Sequence, residues 1–293
     1  MKKHNVFAGG FVDRCGHRRQ DREWLTHLIN SPDARFAPVW NEKCLINGDP
    51  PRVTLFKRSV VDPMMSVDEA VFLGMFGKYP AFAFSLACDA VSFPKEGQFH
   101  KLHYLGAVLP TDEANLVAHA IALIKWHQLQ QFCRLCGSLT RAESAGNTRR
   151  CTSPKCGVIT FPRVDPAIIV LVSHDDKALL GRQASWPKGR YSTIAGFVEP
   201  GESLEDAVRR EVFEETNIEV GKVHYHSSQP WPFPSSLMLG FTAEAVSNEI
   251  ILQDGELEDA RWFTRKECRS PFPKLPFPIS IARRLVDTWL DRE

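Results

Sequence analysis

Hydrophobic and polar residues are arranged differently in three regions of the chain. In residues 1 to about 110, short apolar runs between turn-forming residues predict strands, for example at 52–59 and 81–87. Residues 111–131 follow a helical pattern, with Thr111 as the expected N-cap. The apolar residues of this helix recur at three- and four-residue spacing and are Leu116, Val117, Ala120, Ile121 and Ile124. The first region carries no recognisable catalytic motif.

The third region begins near Phe161 and predicts a sheet with helices around it. Residues 167–172 form a β-branched apolar run typical of a buried strand, and residues 177–181 follow a turn as its hairpin partner. Beyond a glycine-containing loop and a strong helix, the pattern predicts strands at 236–245 and 260–263 and a terminal helix at 279–290. This irregular alternation favours the α/β (α+β) class, with a mixed sheet flanked by helices.

Composition and charge describe a globular protein rather than one that coats nucleic acid. Of the 293 residues, 43% are hydrophobic and 24% are charged, which is typical of a folded soluble protein. The 36 basic and 35 acidic residues give a net charge of +1, without the basic excess of nucleic-acid-coating proteins. No apolar run reaches the roughly 18 residues that span a bilayer, and neither terminus shows a targeting segment. A cytoplasmic protein without membrane association is expected.

Half of the eight cysteines lie in one short stretch: Cys133, Cys136, Cys151 and Cys156. Paired thiolates on two short turns can occupy the corners of a tetrahedron, which is the geometry of structural zinc. Four thiolates leave no open coordination position, so we predict a structural Zn²⁺ in a zinc ribbon. The alternatives are two disulfides or four free thiols. A zinc ribbon by itself also occurs in nucleic-acid-binding modules.

A glycine-containing loop runs into a helix with an unusual placement of charge, within residues 196–218. Ser203 and Asp206 resemble a capping box at the start of the helix. Asn217 can adopt the left-handed conformation that ends one. At about 100° per residue, an apolar stripe that begins at Leu204 continues into carboxylates further along the helix.

Glu211 and Glu215 lie on this stripe and Glu214 lies beside them, near the C-terminal end of the helix. The three carboxylates repel one another, and the helix dipole disfavours negative charge at this end. Mg²⁺ or Mn²⁺ would neutralise them while bridging the phosphates of a substrate. Arg210 can pair with a neighbouring acid and hold it in position. The alternative is a solvated acidic face.

The whole segment fits the pattern G-x5-E-x7-R-E-U-x-E-E-x-x-U, in which U is aliphatic. It resembles the Nudix box, the motif of a family of hydrolases that cleave a nucleoside diphosphate linked to another group. Asn217 is a departure, because the family usually has glycine there, but asparagine tolerates the same left-handed backbone. The resemblance implies a Nudix fold.

A second motif, SQPWPFPSS at residues 228–236, resembles the array that marks the NADH pyrophosphatase branch of this family. Its alternating prolines and aromatic residues predict a stiff loop with exposed ring faces, which suits stacking on a base. A hydrophobic surface loop or a dimer contact is the alternative. The upstream cysteine cluster, Phe161-Pro162 and Ala282-Arg283-Arg284-Leu285 also fit this branch. The likeness covers residues from about 125 to 290.

The resemblance implies three domains and a homodimer. The domains are an N-terminal NADH-pyrophosphatase-like α+β domain (1–128), a zinc ribbon (129–162) and a Nudix hydrolase domain (163–293).

The resemblance also implies roles for the residues at matching positions. The Mg²⁺ or Mn²⁺ ligands would be Glu211, Glu215, Glu256 and the carbonyl of Ala195. The catalytic group would be Arg210, Glu211, Glu214 and Glu215, with Glu215 as metal ligand or general base. The substrate-binding residues would be Phe161, Gln229, Pro230, Trp231, Pro232, Phe233, Pro234, Ser235, Ser236 and Ala282.

The implied activity is hydrolysis of the pyrophosphate of NADH or NAD⁺ to nicotinamide mononucleotide and AMP, by water activated between divalent ions. The nearest alternatives apply the same chemistry to ADP-ribose or remove the NAD cap from RNA 5′ ends (deNADding). An alternative of another class is a non-catalytic nucleotide- or RNA-binding module with a Nudix fold. Such a module would be expected to lose the glutamates of the box, and all of them are present here.

Overall fold

A computed structural model describes residues 4–61, 70–86, 97–253 and 255–292. Contacts divide the chain into two compact units. The first unit consists of Phe7–Val164 and Pro232–Ser235, and the second of Met1–Val6, Asp165–Trp231 and Ser236–Glu293. The domain boundaries at 128/129 and 162/163 stay a prediction.

The short apolar segments of the first unit form a seven-stranded sheet. Its strands are β1 (Val12–Asp13), β2 (Arg35–Trp40), β3 (Lys43–Asn47), β4 (Arg52–Val53), β5 (Val71–Phe76), β6 (Tyr79–Ser85) and β7 (Gln98–Lys101). The order is β1-β5-β6-β2-β3-β4, with β7 also paired to β3, and only the β2–β6 pair is parallel within the described residues. The helices of this part are α1 (Arg22–Asn30), α2 (Arg58–Val61), α3 (Leu102–Leu105) and α4 (Thr111–Leu129). Helix α4 packs across β2, β5 and β6.

Two expectations for this region need correction. The predicted helix at 111–131 is present, but Thr111 is its first residue, and Pro110 takes the cap position, where its carbonyl accepts from the N–H of Ala114 (2.9 Å). The strand predicted at 52–59 is wrong beyond β4, because Phe56 forms only an isolated bridge with Phe36 and α2 follows. The strand predicted at 81–87 is β6, and residue 87 lies outside the described residues.

The cysteine region folds as a small antiparallel sheet in the same unit. Its strands are β8 (Thr140–Glu143), β9 (Thr148–Cys151) and β10 (Ile159–Thr160), in the order β10-β9-β8. The turn between β8 and β9 packs on the larger sheet, since the Nδ2 of Asn147 donates to the carbonyl of Phe72 (3.1 Å). A Cβ on Gly146 would lie only 2.9 Å from Val71, so this turn requires glycine.

The second unit is a six-stranded mixed sheet with helices on both faces. Its strands are β11 (Asp165–His174), β12 (Lys177–Arg182), β13 (Ile194–Phe197), β14 (Val220–Trp231), β15 (Ser236–Ala245) and β16 (Asp259–Thr264). Its helices are α5 (Leu204–Thr216), α6 (Arg265–Cys268) and α7 (Ile281–Leu290). The strand order is β14-β15-β11-β12-β16, with β13 also paired to β11, and β11 and β15 run parallel. The predicted strands and the Nudix fold with a mixed sheet are confirmed.

The central strand β11 explains how two cores form around one sheet. Successive side chains of a strand point to opposite faces. Accordingly, Ile168 and Val170 pack with α5 on one face, while Ile169 and Leu171 pack with α7 on the other. The continuous apolar run of β11 therefore reflects burial on both faces.

The described residues contain no helix that is both long enough and apolar enough to cross a bilayer.

Candidate active site

Helix α5 begins and ends as its sequence predicts. The hydroxyl of Ser203 accepts from the N–H of Asp206 (3.1 Å), and Asn217 ends the helix in the left-handed conformation at φ 62°. The Ser203 hydroxyl also donates to the Asp206 carboxylate (2.6 Å), which differs from the reciprocal backbone bond of a full capping box. These caps fix where α5 begins and ends.

Arg210 organises the acidic residues around α5. Its Nε and Nη2 donate to the two carboxylate oxygens of Glu202 (2.6 and 2.9 Å), which is a bidentate pair. Its Nη1 donates to Glu211 (2.9 Å) and Glu214 (3.0 Å), and Nη2 also reaches the carbonyl of Phe197 (2.9 Å). One guanidinium thus ties the loop before α5 to two carboxylates of the helix.

Glu202 has a positioning role that the sequence did not assign to it. Its hydrogen bond from Arg210, helped by the N–H of Glu199, lowers the pKa of Glu202 to about 2. The carboxylate therefore stays charged and paired across the working pH range. The G-x5-E part of the Nudix-box pattern could have revealed this role, because its glutamate is Glu202. The pattern fixes the spacing between Glu202, in the loop before α5, and Arg210, on the helix.

The three acids of α5 differ in exposure. Glu215 is buried at 3% exposure, and the side chains of Glu211 and Glu214 are exposed by 12% and 51%. Burial raises the pKa of Glu211, Arg210 opposes this, and the charges of Glu214 and Glu256 add to the rise. A partly desolvated carboxylate beside two like charges favours binding a cation.

Gly196 lets strand β13 approach the carboxylate of Glu211. A Cβ at Gly196 would lie 1.9 to 2.2 Å from the carboxylate atoms of Glu211. Ala195 precedes this glycine in β13 and pairs with Ile169 of β11. A glycine is needed at position 196 because any side chain there would clash with Glu211. Its backbone φ is outside the left-handed region, so backbone conformation is not the reason.

Gly196→Ala is expected to lower kcat for NADH, the substrate that the sequence predicts, by roughly 100-fold, because displacement of a group at the reacting centre by about 1 Å has effects of this size. The added methyl forces either Glu211 or β13 to move. Gly221→Ala is the control, since the nearest atom to its added Cβ is Cγ1 of the exposed Val246, at 3.2 Å. Steady-state kinetics on both variants test this, and equal activity in the two would contradict the role of Gly196.

Glu256 lies before β16, in a segment distant from α5 in the sequence. The Nε2 of Gln183 donates to its Oε1 (3.2 Å). Its charge also contributes to the raised pKa of Glu211, after burial. Glu256 and Glu211 therefore lie within electrostatic range of each other in the second unit. No motif in the sequence indicated that Gln183 would bind Glu256.

The SQPWPFPSS motif forms the end of a hairpin rather than an open loop. Its first residues belong to β14, and Trp231 pairs with Ser236 at the start of β15. Trp231 and Phe233 are half-buried, so the exposed ring faces that the sequence predicts are only partly accessible. Within the first unit, Phe233 packs against Phe7 and His103, with ring centroids 5.9 and 5.8 Å apart.

Other residues of the predicted substrate site lie in contrasting environments. Phe161 follows β10 in the first unit and is 68% exposed. Gln229 and Ala282 belong to the second unit and are 0% and 2% exposed. Buried side chains such as these shape a site by supporting its backbone. The remaining residues of the predicted loop are Pro230, Pro232, Pro234 and Ser235, of which Pro232 is buried and Pro234 exposed.

The four predicted zinc ligands meet in the ribbon. Their Sγ atoms all lie within 4.8 Å of one another, and this is the single group of potential ligands gathered so closely in the described part of the chain. The Cys133–Cys156 and Cys136–Cys151 Sγ distances are 3.8 and 3.4 Å. Zn–S bonds of about 2.3 Å at tetrahedral angles place sulfurs roughly 3.8 Å apart. The cluster therefore fits a structural zinc ion.

The turns after the cysteines support thiolate ligands. Gly137 and Gly157 have φ of 74° and 59°, which lets the chain turn back beside the sulfurs. Hydrogen bonds from Ser138 lower the pKa of Cys136 to about 6, whereas burial raises the pKa of Cys151 to about 12. A cation among the sulfurs favours the thiolate at all four positions.

The chain matches two family models and several curated proteins. The NUDIX domain model matches residues 162–285, and the NADH pyrophosphatase-like rudimentary NUDIX domain model matches residues 33–126. The chain is 41% identical over 338 residues to the NAD-capped RNA hydrolase NUDT12 of Macaca fascicularis, covering 98% of this chain and 73% of that protein. It is 43% identical over 224 residues to the NAD-capped RNA hydrolase NudC of Deinococcus radiodurans, covering 75% of this chain and 77% of that protein.

Among solved structures, a NUDIX hydrolase from Nitrosomonas europaea aligns with 56% of this chain and 92% of its own, at 23% identity and a TM-score of 0.47. The sequence relatives span both units of the chain; one family model lies within the first unit, and the other covers most of the second. The chain therefore belongs to the Nudix hydrolase family, in its NADH pyrophosphatase-like branch.

Proposed function

We propose that the protein hydrolyses the pyrophosphate bond of NADH or NAD⁺ and releases nicotinamide mononucleotide, reduced or oxidised, and AMP. The observation that carries this proposal is the cluster of glutamate carboxylates on α5. Arg210 holds Glu211 and Glu214 through one nitrogen (2.9 and 3.0 Å), and Glu215 is buried nearby. The relatives named as NAD-capped RNA hydrolases support a substrate that contains NAD.

Carboxylate and carbonyl oxygens are the donors that a hard divalent cation, Mg²⁺ or Mn²⁺, prefers. Glu211, Glu215 and Glu256, with the carbonyl of Ala195, would hold it. Such a cation supplies Lewis acidity and a counter-charge for the pyrophosphate when it is bound. Arg210 would keep the carboxylates of α5 oriented, and the absence of a Cβ at Gly196 lets Glu211 take its place beside β13.

The reaction consumes one water molecule. The water oxygen bonds to one phosphorus, the bridging P–O bond breaks, and two monophosphates leave. A glutamate of the box accepts the proton of the attacking water, and Glu215 serves either as this base or as a ligand. Trp231, Phe233 and the 68% exposed Phe161 each offer an aromatic ring of the kind on which bases stack.

RNA with a 5′ NAD cap is a second substrate class, favoured by the two relatives that are NAD-capped RNA hydrolases. The same bond is cleaved, and the RNA retains a 5′ monophosphate. ADP-ribose carries the same pyrophosphate but lacks the nicotinamide, so it tests whether that base contributes to binding.

The deciding experiment offers purified protein NADH, NAD⁺, ADP-ribose and 5′-NAD-capped RNA, each with Mg²⁺ and with Mn²⁺, and resolves the products by chromatography. We expect AMP and reduced nicotinamide mononucleotide from NADH, at the highest kcat/KM among the free nucleotides. A clearly higher kcat/KM for capped RNA would move the biological role to RNA decay. Binding without turnover under all conditions would instead support a non-catalytic nucleotide-binding module.

We also propose a cytoplasmic homodimer. No disulfide joins the cysteines among the described residues, which suits a reducing compartment. The dimer follows from resemblance to the branch, and light scattering on the purified protein tests it: a mass near twice 33.1 kDa is expected.

A further inference from the structure

Residues 4–6, near the amino terminus, belong to the second unit, together with the Nudix domain. Asn5 is buried at 6% exposure. Its Nδ2 donates to the hydroxyl of Ser227 (3.0 Å) and the carbonyl of Ser228 (2.7 Å), and its Oδ1 accepts from Nη1 of Arg284 (3.1 Å). One buried amide therefore connects β14 to α7.

A second buried amide makes a matching connection next to the first. Gln229 is 0% exposed, and its Nε2 donates to the carbonyls of Val6 (3.1 Å) and Ile279 (2.8 Å). Its Oε1 accepts from the N–H of Ile281 (2.8 Å), the first residue of α7. Asn5 and Gln229 together join three segments: the amino terminus, the end of β14 and the start of α7.

The packing around these amides leaves little space for adjustment. A Cβ on Gly240 of β15 would lie 2.7 Å from Cδ1 of Ile281 and 2.9 Å from the carbonyl of Ser227. Helix α7 is therefore seated directly on the sheet at this point. Apolar packing sets the distance between α7 and the sheet, whereas directional hydrogen bonds also set rotation and register.

We propose that Asn5 and Gln229 are positioning residues that hold the end of β14 and the start of α7 in the arrangement that binds the dinucleotide. This inference rests on the proposed function, because the SQPWPFPSS hairpin continues from β14 and Ala282 lies in the first turn of α7. Gln229 then serves the site through its hydrogen bonds to Val6, Ile279 and Ile281 rather than by contacting substrate. Every polar atom of its side chain is used in these bonds.

The test is Asn5→Ala, with Asn248→Ala as the matched control. Asn248 is an exposed asparagine of the same unit, and among the described residues its side chain has no hydrogen bond. Loss of the Asn5 bonds is expected to raise KM for NADH roughly tenfold, the equivalent of one well-formed buried hydrogen bond. The value of kcat should change less than about twofold, because the carboxylates of α5 are untouched and binding is weakened equally in ground and transition states.

Hydrogen exchange provides a readout that does not depend on activity. In Asn5→Ala, amides of residues 227–231 and 279–285 should exchange faster, while those of α5 should not. If Asn5 had a purely structural role, its substitution would lower Tm or the fraction of active protein. KM does not depend on that fraction, so a purely structural role would leave KM unchanged. If Asn5→Ala fails to fold, Ser227→Ala removes one acceptor of the same amide and should raise KM about two- to fivefold.

Unchanged KM in the folded variant, or unchanged exchange at both segments, would overturn the inference. If the wild-type protein hydrolyses none of the dinucleotides, the proposed function fails instead. In that case, hydrogen exchange of the Asn5→Ala variant still shows whether Asn5 holds β14 and α7 together.

Discussion

Glu215→Gln is expected to lower kcat for NADH by about 10²- to 10⁴-fold, the range observed when a positioned acid or base is removed. Glu215 is buried on α5 at 3% exposure, beside Glu211 and Glu214. Glutamine has nearly the same volume, so the packing of α5 is kept while the charge and the proton acceptor are lost. The measurement is steady-state hydrolysis of NADH with saturating Mg²⁺ and Mn²⁺.

The fold should survive this change, since it removes a buried charge from a group of like charges. We expect Tm to change by less than about 4 °C, corresponding to roughly 1 kcal/mol in a domain of this size. Glu205→Gln is the matched control, because Glu205 is exposed in the first turn of the same helix. Near-normal turnover in Glu215→Gln would refute the assigned role of the acidic group, whereas an equal loss in Glu205→Gln would indicate a general effect on α5.

Cys151→Ser is expected to abolish zinc binding and to lower the Tm of the first unit by roughly 10 °C or more, since a structural metal contributes directly to folding. Cys151 ends β9 at 3% exposure, and its Sγ lies 3.4 Å from that of Cys136. A serine hydroxyl cannot replace the thiolate ligand, and three ligands leave the ion open to water. Elemental analysis and thermal unfolding of the same sample measure both effects.

Cys268→Ser supplies the control for this prediction. Cys268 is equally buried at 3% exposure but belongs to the second unit and lies far along the chain from the cysteine cluster. It should retain one zinc per chain. A wild-type protein without zinc, or a Cys151→Ser variant with unchanged Tm, would contradict a structural zinc site.

The elements of the Nudix domain were predictable because their signals are local. The strand expected at 236–245 is β15 with the same bounds, and α5 ends before Asn217 in the left-handed conformation. Hydrophobic periodicity and caps depend only on residues within a few positions of one another. The terminal helix differs by two residues at its start, because Ser280 caps α7 through the N–H of Ala282.

The first region was less predictable because its strands are short and depend on distant partners. The central pair of its sheet, β2 and β6, is parallel and joins Phe36 to Phe82 across a long connection. Phe56 forms a single bridge with Phe36, and helix α2 begins two residues later. The apolar segment around Phe56 therefore predicts a longer strand than the structure contains. Alternation alone does not reveal where pairing stops.

The sequence by itself determined the residues that one helix or one turn brings together. The spacing of Arg210, Glu211, Glu214 and Glu215 places them on neighbouring turns of α5, and each of the two cysteine pairs spans a short turn. Only the tertiary structure decided the contacts between distant segments. Strand order brings Glu256 within electrostatic range of Glu211, and β13 meets the Glu211 carboxylate where Gly196 has no Cβ. Asn5 bonds to residues 223 and 279 positions away. The physical reason is that such contacts depend on how the strands pair and how helices pack on both faces of the sheet, which no local pattern records.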